Sequence, residues 1–163
     1  MIKPTLMYGS VVWDGCSAEC FYKVLRLQKR AARIILGADK TTPSIYLFNT
    51  LNWLPFTKQS MIKRTVVAFK RLNPSYCTPD YLDSSLVRNS DIHGRHTRYS
   101  NFNLRCPTFK RKTEGGKTFA VRTITDWKKI DLNIGKKPLV SSFKKDLYSQ
   151  FLNEQKAANN IER

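Results

Sequence analysis

The segment from Phe21 to Leu36 separates apolar from charged side chains as an amphipathic α-helix does. At about 100° per residue, one side within about 120° collects these mainly apolar residues: Phe21, Val24, Leu25, Gln28, Ala31, Ala32 and Ile35. The opposite side collects cations within about 80°: Lys23, Arg26, Arg30 and Arg33. Leu27 and Ile34 widen the apolar side toward a second neighbour. The pattern therefore predicts a helix that packs one face on a core and presents cations on the other.

Capping and proline signals predict where this helix and its neighbours begin and end. Ser17 can cap the start of the amphipathic helix, and Gly37 can close it in the left-handed conformation. Thr42–Pro43 predicts the start of a short second helix. Thr57 is the predicted cap of a third helix that reaches about Leu72. Its predicted inward residues are Met61, Ile62, Thr65, Ala68, Phe69 and Leu72.

The second half of the chain alternates short helices with a long basic loop. We predict a brief helix over 79–86, a loop without helical periodicity over 87–116, and a helix over about 117–129. Alternating apolar residues allow a short strand over 101–106, and residues 132–139 are a predicted turn. The last helix, from Ser141 or Ser142, turns Phe143, Leu147 and Phe151 inward.

These elements predict a mainly α fold, a small helical bundle with a long basic loop region, and they allow one short strand or hairpin. We divide the chain into a helical region over 1–86, a basic loop with terminal helices over 87–152, and a frayed tail over 153–163.

The charge of the chain points to a polyanionic partner. Lys and Arg number 29 against 12 Asp and Glu, which gives a net charge of +17. A hydrophobic content of 41% is too high for a disordered tail. The usual reason for such an excess of positive charge is binding to nucleic acid or to an anionic membrane. No segment approaches the roughly 18 uninterrupted apolar residues of a membrane span, so we favour nucleic acid and expect no membrane partner.

The residues that could hold a metal or a cofactor do not match the spacing of known metal or phosphate-binding motifs. Cys16 and Cys20 with His93 and His96 invite a zinc site, but the gaps do not suit a zinc finger or zinc knuckle. The Gly115–Thr118 run lacks the earlier glycine of a phosphate-binding loop and is better explained as a glycine turn. We expect no metal and no cofactor. With no signal-peptide pattern, the four cysteines indicate reduced thiols and an intracellular, nuclear or cytoplasmic location.

A second group of cations lies in the basic loop. Residues 88–137 hold 13 of the 29 cations against four carboxylates. Tyr99, Phe102 and Phe109 are interleaved with them, as in proteins that hold unpaired bases by stacking and phosphate contact. Alternatively, Phe102 and Phe109 anchor the loop to the core and only the charges face outward.

Taken in order, several segments carry a resemblance to a known family. They are the Leu6–Trp13 tract, the Leu25–Gly37 helix, Leu51–Pro55 with the Ile62–Leu72 helix, Pro74–Tyr76 with Tyr81–Leu82, Arg88–Asp91, Phe119–Trp127 and Ser142–Leu147. The chain resembles the C-terminal region, thumb and post-palm, of reverse transcriptases of LINE-type (non-LTR, jockey-like) retrotransposons. The strongest part is the Tyr-Gly-Ser…Trp tract followed by the Leu-Gln-x-Arg-Ala-Ala-Arg helix.

The resemblance implies binding without catalysis. The Tyr-x-Asp-Asp turn that holds the two Mg²⁺ ions of the family's palm is not matched in this sequence. The nearest carboxylate pair, Asp80 and Asp83, is better explained as helix-start charge or a solvated face. The resemblance also implies that the Phe21–Leu36 helix is a thumb helix that tracks the primer–template backbone.

We therefore expect a non-catalytic piece of a reverse transcriptase that grips primer–template or RNA, with nucleic acid and the rest of the enzyme as partners. The candidate nucleic-acid-binding residues are Lys23, Arg26, Lys29, Arg30, Arg33, Arg95, Arg98, Tyr99, Lys110, Arg111 and Lys112. The alternative is a truncated remnant whose basic faces dock on a missing palm and which has no independent function.

Overall fold

The protein is mainly helical, as predicted. The computed structural model describes residues 9–13, 15–92, 102–110 and 115–161. Within these ranges the helices, in chain order, are α1 (Ser10–Trp13), α2 (Ala18–Leu36), α3 (Ser44–Thr50), α4 (Phe56–Leu72), α5 (Tyr81–Ser85), α6 (Phe119–Trp127), α7 (Leu132–Gly135) and α8 (Val140–Ile161). A 3₁₀ turn covers Asn89–Asp91. The predicted turn over 132–139 thus contains a short helix, whose start is capped by the Asp131 side chain.

The chain forms two compact units that are not continuous in sequence. The first unit combines Met1–Ser60 with Lys145–Arg163, and the second is Met61–Lys144. These limits differ from the predicted boundary after residue 86. The reason is that residues before and after it contact each other within the second unit, for example through the Arg88 guanidinium, which donates to the Leu72 carbonyl at 2.6 Å.

The two ends of α2 are closed as its sequence predicts. The Ser17 hydroxyl accepts a hydrogen bond from the Cys20 amide at 3.4 Å. Gly37 has a φ of +59°, a conformation that glycine adopts without the steric cost of a Cβ. The Ala38 amide then donates back to the Arg33 carbonyl at 3.0 Å. The helix boundaries predicted from these caps are confirmed.

The core of the first unit forms where α2 meets α3. Ala32, Leu47 and Phe48 are buried, and the residues packed against them are Leu36, Ala38, Leu51 and Trp53. Asn52 follows α3 with a φ of +50°, and the Trp53 amide donates to the Phe48 carbonyl at 2.8 Å. This left-handed closure ends α3 and turns the chain toward α4.

The start of α4 shows how tertiary contacts override local capping signals. The helix begins at Phe56, so Thr57 lies inside the first turn and the predicted Thr57 cap is wrong. The Phe56 amide instead donates to Oε1 of Gln28 on α2 at 2.8 Å. Similarly, α3 begins at Ser44 with Pro43 at its cap position and no side-chain cap from Thr42.

Gln28 is a buried polar residue that joins α2 to the turn before α4. Besides accepting from the Phe56 amide, it donates through Nε2 to the Leu54 carbonyl at 2.8 Å. The Gln59 side chain donates to the same carbonyl. Both ends of the Gln28 amide are therefore satisfied by backbone groups, which fixes the rotation of α2 about its axis.

We expect Gln28→Met to lower the free energy of unfolding by about 1–3 kcal/mol, because the buried Phe56 amide loses this acceptor. The measurement is equilibrium unfolding in urea. Lys29→Met on the neighbouring, half-buried position is the matched control and should change stability by less than about 0.5 kcal/mol. Equal stability of Gln28→Met and the parent chain would contradict the role assigned to this amide.

The C-terminal helix remains ordered beyond the predicted start of the frayed tail. α8 runs from Val140 to Ile161, so residues 153–161 are helical. Gln155 donates to Oδ1 of Asn49 at 2.6 Å, and the Tyr148 hydroxyl donates to the Asn52 carbonyl at 3.0 Å. Burial raises the pKa of Tyr148 above its ordinary value, and a hydrogen bond with the Leu54 backbone opposes that rise. These contacts extend the helix where its polar sequence predicts fraying.

Aromatic rings form the core of the second unit. The Phe69 and Phe143 rings stack with centroids 4.5 Å apart, and the Phe143 centroid lies 6.0 Å from that of Trp127. The predicted inward positions of α4 from Met61 to Phe69 are buried, and Leu72 is partly buried. Phe143, Leu147 and Phe151 of α8 are buried as predicted, the first in this unit and the other two in the first unit.

The strand predicted over 101–106 is wrong for the residues that the structure describes. Residues 102–106 form one antiparallel bridge, between Arg88 and Leu104, and no strand. The Asn89 amide donates to the Asn103 carbonyl at 2.9 Å. Leu104 is buried. The alternation of apolar residues over 101–106 therefore reflects anchoring of this segment to a helical core rather than pairing in a sheet.

A buried ion pair joins α4 and α6. The Arg64 guanidinium donates from Nε to Oδ2 of Asp126 at 2.9 Å and from a terminal nitrogen to the same oxygen. Burial lowers the pKa of Arg64 below its ordinary value, the hydrogen bond and charge of Asp126 raise it, and the charge of Arg122 lowers it. Arginine stays protonated despite this shift, so the pair is a charged contact inside the core.

Candidate nucleic-acid interface

Four cations of α2 form a stripe on the outer side of the helix, as its periodicity predicts. We define this cation stripe as Lys23, Arg26, Arg30 and Arg33. Lys23, Arg26 and Arg30 are exposed, whereas Arg33 is half-buried. The stripe extends over eleven residues, or about 15 Å along the helix axis. Lys29, the fifth candidate on this helix, is also half-buried.

Few acidic groups compensate the cation stripe. Lys23 pairs with Glu19 at 3.0 Å, and both side chains are well exposed, so this pair contributes little stability. Among the residues that the structure describes, no carboxylate lies within ion-pair distance of Arg26 or Arg30. These two guanidinium groups, one helical turn apart, form the most available part of the stripe.

Arg33 differs from the other members of the stripe. Its guanidinium donates to the Thr42 carbonyl at 3.4 Å, in the turn that leads from α2 to α3. The side chain therefore has a structural contact in addition to its charge, and a substitution there would alter both.

The buried side of α2 is shifted around the helix axis relative to the predicted buried side. Ile35 is 58% exposed, so its predicted inward position is wrong. Leu36 packs against the Leu47 and Phe48 cluster instead, which centres the buried side nearer to Ala32. Leu27 and Ile34 are 54% and 72% exposed, and no described residue forms the second neighbour predicted for them. We call Leu27, Ile34 and Ile35 the apolar ridge. On a helical projection Leu27 and Ile34 border the cation stripe beside Lys23, whereas Ile35 lies farther round the helix.

The candidates in the basic loop are described only in part. Arg95, Arg98, Tyr99, Arg111 and Lys112 lie outside the described residues. Lys110 is exposed and belongs to the second unit, whereas the cation stripe belongs to the first. The structure therefore presents two sets of candidate residues, each within its own unit.

The two described rings of the basic loop have different surroundings. The Phe102 ring lies 4.8 Å from the Trp127 ring, and its backbone carbonyl accepts from the Trp127 indole at 2.9 Å. A Cβ placed on Gly135 would overlap the Phe102 ring. Phe102 is thus an anchor to the core. Phe109, by contrast, is 41% exposed.

A pair of lysines that the sequence did not single out as a site lies in the second unit. Lys63 on α4 loses basicity because burial lowers its pKa, and the nearby charge of Lys144 on α8 lowers the pKa further. Such like-charge proximity adds positive potential to this unit. No local pattern could reveal it, because the two residues are far apart in the chain.

Within the part of the chain that the structure describes, no three His, Cys, Asp or Glu side chains are grouped as a metal site would need. Asp83, one of the paired carboxylates considered above, contacts Nε of Arg71 at 2.7 Å. Cys16, Cys20, Cys77 and Cys106 are free thiols. No helix among the described residues combines the length and apolar character that crossing a bilayer requires.

Comparisons with protein-family models, with curated proteins and with solved structures give no match for this chain.

Proposed function

We propose that this protein binds nucleic acid through contacts with the phosphate backbone and carries out no catalysis itself. The observation that carries the proposal is the cation stripe of α2. Arg26 and Arg30 project from a capped helix without a described acidic partner, in a chain with a net charge of +17.

Arginine at these positions suits phosphate recognition. A guanidinium can donate two parallel hydrogen bonds to one phosphate, and its charge does not titrate. Because α2 is closed by Ser17 and Gly37 and held in rotation by Gln28, the stripe is presented on a fixed surface. Contacts with phosphates position a nucleic acid but do not discriminate between base sequences.

The resemblance to LINE-type reverse transcriptases gives this activity a specific role in the proposal. The chain would act as a thumb-like region that grips primer–template while a palm located elsewhere performs the polymerase chemistry. The helical fold and the cations on the outer side of α2 support this reading. The Leu-Gln-x-Arg-Ala-Ala-Arg tract lies within α2.

A second candidate function is docking of the basic faces on an acidic protein surface, such as a palm, with no nucleic-acid binding by the chain alone. The apolar ridge favours it, because Leu27, Ile34 and Ile35 are exposed, the first two next to the cation stripe. Exposed aliphatic side chains that cluster on one surface are typical of protein interaction sites.

A salt titration of binding separates the two functions. We expect the purified chain to bind RNA, DNA and hybrid duplexes with an affinity that falls steeply as salt rises. If about six phosphates are engaged, the slope of log K against log salt should be roughly −4 to −5.5. A slope near zero would contradict phosphate binding. A cooperative thermal melt, measured in parallel, would show that the chain folds as an autonomous unit.

A further inference from the structure

Phe109 combines exposure with a close backbone contact. The side chain is 41% exposed at the end of the described stretch 102–110. Its Cβ, Cγ and Cδ2 atoms lie against Gly115, so closely that a Cβ on Gly115 would overlap them. The absence of a side chain at position 115 therefore allows the base of the Phe109 side chain to pack against the backbone there.

The residues flanking Phe109 are basic. Lys110 follows it directly, and Lys117 lies two residues after Gly115; both are exposed. From 102 to 118 the sequence holds five cations and one carboxylate, Glu114. An exposed ring packed at its base on a glycine, with exposed lysines close to it in the chain, has the composition by which proteins hold single-stranded nucleic acid.

We propose that Phe109 is a stacking platform for an unpaired base, with Lys110 and Lys117 contacting the phosphates of the same strand. The inference rests on the proposed function and deepens it, because it assigns this surface to single-stranded RNA or DNA. In a duplex the base faces are stacked on one another, so Phe109 has no base to contact there. The cation stripe of α2 reaches phosphates of either form.

The test uses the full chain and two labelled probes, a 12-nucleotide oligo(U) strand and a blunt-ended 12-base-pair RNA duplex. Phe109→Leu keeps an apolar side chain beside Gly115 but removes the ring. We expect it to weaken oligo(U) binding by about 5- to 150-fold, the effect of losing one stacked base. Binding to the duplex and the salt slope should not change, since the duplex offers no unpaired base and no charge is removed. Phe109→Trp should restore oligo(U) affinity.

Tyr81→Leu is the matched control, because Tyr81 is an exposed ring in the same unit without a flanking lysine, and it should leave both affinities unchanged. Unchanged oligo(U) binding by Phe109→Leu would overturn the inference and leave the proposed function standing. Equal weakening on both probes would also overturn it, by showing a structural effect. If the parent chain bound neither probe in a salt-dependent way, the proposed function would fall and the inference with it.

Discussion

Replacing Lys23, Arg26 and Arg30 together by Gln should weaken nucleic-acid binding on the order of 100-fold, because each lost phosphate contact is an exposed ion pair worth at most about 1 kcal/mol. Three fewer phosphate contacts should also make the log–log salt slope shallower by roughly 2–2.7. RNA and DNA of different sequences should be affected alike, because phosphate contacts carry no sequence information. Arg33 is left in place because it also donates to the Thr42 carbonyl. Fluorescence anisotropy over a range of salt concentrations measures both quantities.

The control for this variant removes the same charge from the same unit. Lys40, Lys145 and Lys156 are exposed and lie outside α2. Their replacement by Gln should reduce affinity much less than the change in the cation stripe. Equal losses for the two triple variants would show that binding depends on net charge alone, and the stripe would lose its assigned role.

Asp126→Ala should destabilise the protein by about 3–5 kcal/mol, because it leaves the Arg64 charge buried without its carboxylate partner. Unfolding in urea, followed by circular dichroism, gives the free energy directly. Replacing both partners, as Arg64→Met with Asp126→Leu, should recover most of the loss, since an apolar pair needs no desolvation of charge.

Lys129→Ala controls for surface electrostatics near the same carboxylate. Its ammonium lies 3.9 Å from Oδ1 of Asp126 and is largely exposed, so the change should cost at most about 1 kcal/mol. A loss below about 1 kcal/mol for Asp126→Ala itself would contradict the burial argument.

Local sequence signals were sufficient for most helices. The ends of α2 follow from Ser17 and Gly37, whose capping roles depend on residues a few positions away. The inward residues of α4 and α8 follow from helical periodicity in the same way. For the same reason the cation stripe could be predicted, because a pattern within one helix determines which side chains share a face.

The errors occur where distant segments decide the local structure. The start of α4 is set by the Gln28 side chain, which no pattern around Thr57 could indicate. The rotation of α2 depends on which of Ile35 and Leu36 reaches the α3 cluster. The alternation of apolar residues at 101–106 is compatible with a strand. In the structure, however, Phe102 packs against Trp127 of α6 and Leu104 is buried, so these side chains anchor the segment to the helical core. The proximity of Lys63 and Lys144 likewise exists only in the folded chain.

The apolar ridge beside the cation stripe means that salt acts on α2 in two opposite directions. In dilute buffer, repulsion between the positive charges keeps copies of the chain apart, and the same charges attract a polyanion. As ionic strength rises, the Debye length shortens and that repulsion fades, while sulfate and similar salts strengthen contact between aliphatic side chains. If the proposed function holds, the high-salt conditions that release nucleic acid are therefore those in which Leu27, Ile34 and Ile35 most favour self-association.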